Sequence, residues 1–156
     1  MSNQLWLLRH GEAEPHDMAP DADRVLTPRG EEQSRSAGRA LAALQLTFQA
    51  VYTSPKARAR DTALLACEAL GEEPIVTPVL AEDFDVADAH DLLLGVEPDG
   101  RILVVGHNPD FAQVVYDLTG AHVDFKKGGV AGVRLDRTRG ELIALLRPRE
   151  LAHIGA

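Results

Sequence analysis

The hydrophobic positions of this chain fall into short apolar runs that alternate with amphipathic segments. The runs Leu5–Leu8 and Ile102–Val105 contain no polar residue, as is typical of strands that are buried on both faces of a sheet. Further strands are predicted over residues 50–54, 75–80, 130–135 and 142–146. The strand over 75–80 is expected at an edge of the sheet, because Pro78 cannot donate a ladder hydrogen bond.

Helices are predicted between these strands. Thr27 and Pro28 combine a capping hydroxyl with a proline at the first helical position, and the apolar residues that follow share one helical face. Further helices are predicted over residues 57–70, over 86–94, and from Asn108-Pro109 to about Leu118. The remaining segments are predicted as a polar loop over 11–26, a turn over 137–140 and a frayed end after the last strand. Strands that alternate with helices in this way indicate an α/β sandwich.

Composition is that of an ordinary globular protein and adds few constraints. With 156 residues, 45 % of them apolar, the chain is expected to fold as one domain over residues 1–156. No apolar run approaches the roughly 20 residues that cross a bilayer, and residues 1–20 lack a signal-peptide core, so a cytoplasmic protein is expected. The single cysteine, Cys67, lies in a predicted helix and is interpreted as a small buried hydrophobe rather than a reactive thiol.

Charge is unevenly distributed along the chain. The net charge of −8 argues against binding to nucleic acid or to an anionic membrane. Residues 61–100 contain eleven acidic residues and no lysine or arginine, whereas Arg9, Arg58 and Arg60 lie near the site proposed below. An anionic substrate would therefore meet a local positive pocket within an acidic shell. No Cys/His cluster has metal-ligand spacing and no cofactor is expected; the oligomeric state is not indicated.

Two histidines follow buried strands directly. Arg9-His10-Gly11 comes after the first strand, and His107 comes after the strand over 102–105. The carboxyl ends of parallel strands form the ligand-binding edge of an open α/β sheet, so these side chains are expected to meet there. A neutral imidazole can attack phosphorus if a backbone carbonyl holds its other ring nitrogen, which makes His10 the candidate nucleophile. Arg9 and Arg58 offer planar donor forks for phosphate oxygens, and His107, protonated when phosphate is bound, would add another donor.

Four blocks of sequence carry a resemblance to a known family. They are Arg9–Glu12, Leu26–Gly30, Ser54–Ala63 and Val105–Pro109, in that order along the chain. Together they resemble the signature motifs of the histidine phosphatase superfamily, which has the phosphoglycerate mutase-like fold. The short chain, without a large insertion, resembles the SixA-type phosphohistidine phosphatases.

The resemblance implies a fold, a mechanism and a set of roles. The fold would be a three-layer α/β sandwich with a mostly parallel central sheet flanked by helices. The protein would be a metal-independent phosphatase that forms a covalent phosphohistidine on His10. Arg9, Arg58 and His107 would bind the phosphoryl group, and Gly11 would allow its close approach.

The general acid is less clearly marked in the sequence. Glu82, after Leu80-Ala81, resembles the acid position of the family, but the glycine-rich continuation seen in many members is replaced by Asp83-Phe84-Asp85-Val86. Asp83 and Asp85 therefore stay open as alternatives, as does a solvated acidic loop. Several other residues allow a structural or a functional interpretation: Ser54 and Asn108 as helix caps or phosphate contacts, and Lys126-Lys127 as a charged turn or the rim of the pocket. His16, His90, His122 and His153 are expected at the surface or in the core.

The expected substrate is phosphohistidine on a protein. An imidazole leaving group can be protonated on the substrate itself near neutral pH, so a weak acid would suffice, whereas an alkoxide needs a proton from the enzyme. The alternatives are a small-molecule phosphomonoesterase of the same superfamily, acting on a small phosphate ester, and a non-catalytic phosphate-binding module. Retention of His10 beside the arginines argues against the binding module.

Overall fold

The computed structural model describes residues 2–137 and 139–156. Within them, six strands form one sheet in the order β3-β2-β4-β1-β5-β6. The strands are β1 (Asn3–Arg9), β2 (Ala50–Thr53), β3 (Ile75–Val76), β4 (Arg101–Gly106), β5 (Val130–Asp136) and β6 (Arg139–Leu146). Strands β1 to β4 are mutually parallel, and β5 runs antiparallel to both of its neighbours. The predicted, mostly parallel sheet is therefore confirmed.

Helices cover both faces of this sheet. They are α1 (Pro28–Ala43), α2 (Ala57–Leu70), α3 (Val86–Leu93), α4 (Asp110–Thr119) and α5 (Pro148–Ile154). Helices α1, α2 and α5 pack on one face, and α3 and α4 pack on the other. The central strands β1 and β4 contain the continuous apolar runs Leu5–Leu8 and Ile102–Val105, because each strand contributes side chains to a separate core on each face of the sheet. Leu5 and Leu7 enter the core under α3 and α4, while Trp6 and Leu8 enter the core under α1 and α2.

Local signals set the helix boundaries largely as predicted. The hydroxyl of Thr27 accepts a hydrogen bond from the amide of Gly30 at 3.0 Å, and Pro28 is the first residue of α1. Helix α2 ends at Gly71, whose φ of 69° lies in the left-handed region that glycine adopts without strain. Cys67 is buried in α2, and burial raises the pKa of its thiol to about 11, so it packs as a hydrophobe.

Three predicted boundaries were wrong. The strand predicted over 75–80 is only two residues long, because Pro78 ends the pairing with β2 and opens a 3-10 turn that buries Leu80. The end of the chain does not fray, since it forms α5, and Leu151 of that helix is fully buried. Strand β6 begins three residues earlier than predicted, so only part of the turn predicted over 137–140 remains; Thr138 lies outside the described residues.

The start of α4 lies close to the predicted one. Helix α4 begins at Asp110, and the Asn108 side chain accepts a hydrogen bond from the amide of Ala112 at 3.1 Å, which caps the first turn from outside. Across residues 2–137 and 139–156, none of the helices is both long enough and apolar enough to cross a bilayer.

Candidate active site

Three neighbouring strand ends bring Ser54, His107 and His10 together. These residues follow β2, β4 and β1, which lie side by side and parallel. The hydrogen bonds of the sheet continue past the strand ends. The amide of His10 donates to the carbonyl of Gly106, and the amide of Ser54 donates to the carbonyl of Val105, both at 3.0 Å. The imidazole centroids of His10 and His107 are 5.4 Å apart. The two histidines thus meet at the carboxyl edge of the sheet.

The ring of His10 has a defined tautomer. The ring is buried, and its Nδ1 lies 2.7 Å from the carbonyl oxygen of Gly11. A carbonyl can only accept, so Nδ1 carries the proton and Nε2 has a free lone pair. Burial lowers the pKa of His10 to about 3; the hydrogen bond to Gly11 opposes this effect, and nearby His107 and Arg58 reinforce it. The imidazole is therefore neutral at pH 7.

His107 is held by Ser54. Nε2 of His107 lies 2.8 Å from the Ser54 hydroxyl oxygen, which also accepts a hydrogen bond from the amide of Lys56 at 3.2 Å. Ser54 therefore orders the turn into α2 and also orients His107 of the candidate site. Burial, together with the positive charges of Arg58 and Lys56, lowers the pKa of His107 to about 4. His107 is neutral in this state, so its protonation would require a bound anion.

Arg9 and Arg58 point their guanidinium groups into the same region. Nη1 of Arg9 donates to the carbonyl of Phe125 at 2.7 Å. Arg58, in the first turn of α2, is only 6 % exposed, and its Nη1 donates to the backbone carbonyl of Asp21 at 2.8 Å. Burial lowers the pKa of both guanidinium groups, which nevertheless stay charged. The Nε atoms of both residues are buried and find no acceptor in the described part of the chain, an unfavourable arrangement of a kind that recurs at ligand sites.

These side chains line a polar cavity of about 200 Å³. Its cations are Arg9, Arg24, Arg58 and Lys127. Among the described residues that line it, Asp21 supplies the one carboxylate. His10, His107 and Asn108 contribute the neutral polar surface, and the exposed His16 lies at the rim. A small anion with several oxygens is the ligand that such a cavity suits.

Asp21, Arg24 and Lys56 are site residues that the sequence analysis missed. The Asp21 carboxylate accepts from Lys56 Nζ at 2.9 Å and from Arg24 Nη2 at 3.1 Å, and it lies 3.4 Å from Arg58 Nη2. The hydrogen bond from Lys56, aided by that from Arg24, holds the pKa of Asp21 far below its usual range. Asp21 and Arg24 lie in the segment predicted as a polar loop. Position along the chain was the available signal, because Arg24 precedes the block Leu26–Gly30 by two residues and Lys56 lies within the block Ser54–Ala63.

Gly11 is positioned by packing. Its amide donates to the Thr62 hydroxyl at 3.1 Å, and a Cβ on Gly11 would lie 2.5 Å from the carbonyl oxygen of Gly30 in α1. The Thr62 hydroxyl also accepts from Ser34 at 3.2 Å and donates to the carbonyl of Arg58 at 2.7 Å. The buried Thr62 hydroxyl therefore connects the end of β1 to α1 and α2. A role for Gly11 in binding phosphate stays a prediction.

The candidate acids lie in an adjoining cavity of about 260 Å³ that also reaches Arg58 and His107. The Glu82 side chain is 75 % exposed, and one of its oxygens lies 3.4 Å from Lys56 Nζ. Asp83 lines the same cavity, whereas Asp85 caps α3 by accepting from the amide of Asp88 at 2.9 Å. Asp110, which the sequence analysis did not consider, also lines this cavity, and burial raises its pKa.

Comparison with known proteins identifies the family. Residues 5–93 match the family described as the histidine phosphatase superfamily, branch 1. The chain belongs to this superfamily. An uncharacterized protein of Picosynechococcus sp. is 35 % identical over 162 aligned positions, which cover 95 % of this chain and 98 % of the relative.

Solved structures of the superfamily share the fold. The structure of the protein histidine phosphatase SixA complexed with tungstate superposes with a TM-score of 0.85 at 28 % identity, over 95 % of this chain and 99 % of SixA. A mutant phosphoserine phosphatase from Entamoeba histolytica, in complex with phosphoserine, shares the fold alone. Its TM-score is 0.75 at 16 % identity, over 96 % of this chain and 99 % of the other.

These similarities bear out the class of protein inferred from the motif blocks. This chain is a SixA-type member of the superfamily and has the phosphoglycerate mutase-like fold. It is a metal-independent phosphatase, and its substrate carries a phosphoryl group.

Proposed function

We propose that this phosphatase hydrolyses phosphohistidine carried on a protein and that His10 is the nucleophile. The observation that supports this most strongly is the tautomer of His10. Its Nδ1 proton is held by the Gly11 carbonyl, so the lone pair of Nε2 is available beside Arg9, Arg58 and His107. The binding of tungstate, a tetrahedral oxyanion, by the SixA relative is consistent with such a pocket.

The reaction takes two displacement steps. In the first, Nε2 of His10 forms a bond to phosphorus as the P–N bond to the substrate imidazole breaks, and that imidazole leaves with the proton it already carries. In the second, water attacks phosphorus, the bond to Nε2 of His10 breaks, and inorganic phosphate is released. Arg9 and Arg58 neutralise the phosphoryl oxygens in both steps.

The acid–base character of the cavity favours a leaving group that needs no proton from the enzyme. Asp21 is the carboxylate beside the histidines, and its strongly lowered pKa keeps it ionised and unable to act as an acid. Glu82 is exposed, lies 3.4 Å from Lys56 Nζ and lines the adjoining cavity, and we keep it as a candidate acid. Phosphohistidine has a leaving group that needs no proton from the enzyme, because its imidazole titrates near neutral pH.

A second candidate function is the hydrolysis of small phosphate esters. The observation that favours it is Asp110, a carboxyl group whose pKa is raised by burial and which lines the cavity next to Arg58 and His107. A carboxyl group that retains its proton could protonate an alkoxide as it leaves. In this case Asp110 protonates the leaving group of an ester, and it has little effect on the rate of phosphohistidine hydrolysis.

The test compares the two substrate classes on one set of variants. We expect kcat/KM for a phosphohistidine peptide to exceed that for phosphoserine peptide and for p-nitrophenyl phosphate. His10→Asn should lower turnover of the phosphohistidine peptide by orders of magnitude, whereas His153→Asn, which removes an exposed histidine of α5, should not. A phosphoenzyme that is stable in alkali, is labile in acid and is absent from His10→Asn would identify the intermediate.

The acids are tested with Glu82→Gln and Asp110→Asn. Both should reduce ester hydrolysis more than phosphohistidine hydrolysis, because only the ester needs a proton in the transition state. Ester turnover that matches or exceeds phosphohistidine turnover would refute the proposal in favour of the second candidate. Large and equal losses on both substrates would also count against phosphohistidine, since they would reveal a full general acid.

A further inference from the structure

A cleft adjoins the catalytic cavity and shares two of its wall residues. It measures about 460 Å³, and Arg9 and Lys127 belong to the walls of both. We call it the basic cleft and define it by its six cationic side chains: Arg9, Arg29, Lys126, Lys127, Arg147 and Arg149. Two carboxylates, those of Glu12 and Asp124, also line it. The cleft therefore carries an excess of four positive charges in a chain whose net charge is −8.

The internal ion pairs leave part of this charge uncompensated. Glu12 lies 3.5 Å from Arg29, and Asp124 lies 2.9 Å from Lys126. Arg147 is paired with Glu150 of its own helix at 2.9 Å. Among residues 2–137 and 139–156, no carboxylate oxygen comes within 4.0 Å of Lys127 or Arg149. Like charges gathered in one exposed cleft repel one another, and an anion bound there relieves the repulsion.

The charges on the two sides of the catalytic cavity differ. The cavity that opens beyond Arg58 and His107 is lined by three carboxylates and two cations, an excess of one negative charge, whereas the basic cleft beyond Arg9 and Lys127 has its excess of four positive charges. A phosphoryl group in the catalytic cavity is attached to a larger molecule, which has to leave through an opening. An anionic segment is repelled on the first side and attracted on the second.

The distribution of the cations suits an extended peptide better than a compact anion. They come from four separate segments, namely the end of β1, the start of α1, residues 126–127 and the start of α5. Three of their side chains are well exposed, with Arg29 at 75 %, Arg147 at 55 % and Lys126 at 53 %. The half-buried Pro148 adds apolar surface between them. Successive carboxylates along a peptide could reach these separated charges, and its stem could rest on the apolar surface.

We propose that the basic cleft binds acidic residues that flank the phosphorylated histidine of the protein substrate. This inference rests on the proposed function and adds a sequence preference to it. Apart from Arg9, which also faces the phosphoryl group, the cations of the cleft lie beside the reacting atoms, so the cleft acts mainly on the affinity for the substrate.

The test uses two phosphohistidine peptides of equal length, one flanked by glutamates and one flanked by serines. Binding is measured by fluorescence anisotropy on the His10→Asn enzyme, and kcat/KM is measured on the parent. The cleft variant is Arg29→Gln/Arg149→Gln. Its matched control is Arg39→Gln/Arg134→Gln, which removes two exposed arginines elsewhere and changes the net charge equally.

We expect the parent to bind the acidic peptide about 10-fold more tightly than the neutral peptide. In the cleft variant this ratio of affinities should be about 5-fold smaller; the change is modest because exposed ion pairs are individually weak. The control should keep the preference, which should fall as salt is raised. Turnover of phosphoramidate, which has no flanking residues, should be the same in all three proteins.

Three results would overturn the inference: a preference retained in the cleft variant, a preference lost equally in the control, or tripolyphosphate binding that depends on the cleft while the two peptides bind alike. The last result would assign the cleft to a free polyanion. Failure of the proposed function is a separate outcome, in which both peptides resist hydrolysis by the parent enzyme whatever their order of binding.

Discussion

Replacing His10 by asparagine should change how the stability of the protein depends on pH. Burial lowers the pKa of His10 to about 3, whereas an unfolded histidine has a pKa of about 6.5. Between these values the unfolded chain binds a proton that the folded protein excludes, so the free energy of unfolding falls as the pH falls. Above pH 6.5 both states are neutral, and the stability associated with this group is complete.

The magnitude follows from these two pKa values. Between pH 7.5 and pH 5, His10 should remove about 2 kcal/mol from the free energy of unfolding. His107, whose pKa burial lowers to about 4, should remove a similar amount over the same interval. The parent should therefore lose about 4 kcal/mol to the two histidines, and His10→Asn should lose about 2 kcal/mol. Carboxylates such as Asp21 add their own losses only at lower pH.

The assay is urea unfolding at several values between pH 7.5 and pH 5. Trp6, the single tryptophan, is buried against the core under α1 and α2, so its fluorescence reports unfolding. His153→Asn provides the control, because it removes an exposed histidine and should keep the parental slope. If His10→Asn loses stability with pH as steeply as the parent does, then His10 is not held neutral by burial and the account of the nucleophile fails.

Two further predictions concern the anion in the cavity and the packing of α1. Asp21→Asn should lower the vanadate concentration needed for half-inhibition several-fold, because its carboxylate competes with an oxyanion for Arg24, Lys56 and Arg58; weaker inhibition would mean that Asp21 instead positions these cations. Gly30→Ala should cost about 3 kcal/mol in urea unfolding, since its Cβ would lie 2.0 Å from the backbone oxygen of Glu12. Gly95→Ala, with open space around it, should change stability by less than about 0.5 kcal/mol, and equal effects of the two substitutions would contradict the packing argument.

The parts of the fold that the sequence predicted well are those whose signals are local. The continuous apolar runs of β1 and β4 report burial on both faces, and Thr27-Pro28 combines two independent helix-start signals. Helix α5 was missed because it is short, and its burial depends on Leu151 meeting the core under α1. A tertiary contact of that kind leaves no periodicity in seven residues.

The same distinction applies to the candidate site. His10 and His107 were predictable because each directly follows a buried strand, and parallel strands share an edge. Asp21 and Arg24 were not, because their approach to Arg58 depends on how the segment between β1 and α1 folds back over α2. Asp110 was missed for a related reason, since only the packed structure shows that its carboxyl is partly buried beside the loop at Asp83.

The pairing of β1 with β4 makes the site a reporter of complete folding. Gln4 pairs with Arg101 and Arg9 pairs with Gly106, so residues 97 positions apart along the chain have to come together before the two histidines meet. Closing so long a loop is entropically costly, and parallel pairing of distant segments is formed slowly. A refolding chain can therefore regain helix long before it regains a phosphoryl site. Recovery of catalysis should lag behind recovery of helical circular dichroism. The return of enzymatic activity therefore measures when β1 pairs with β4.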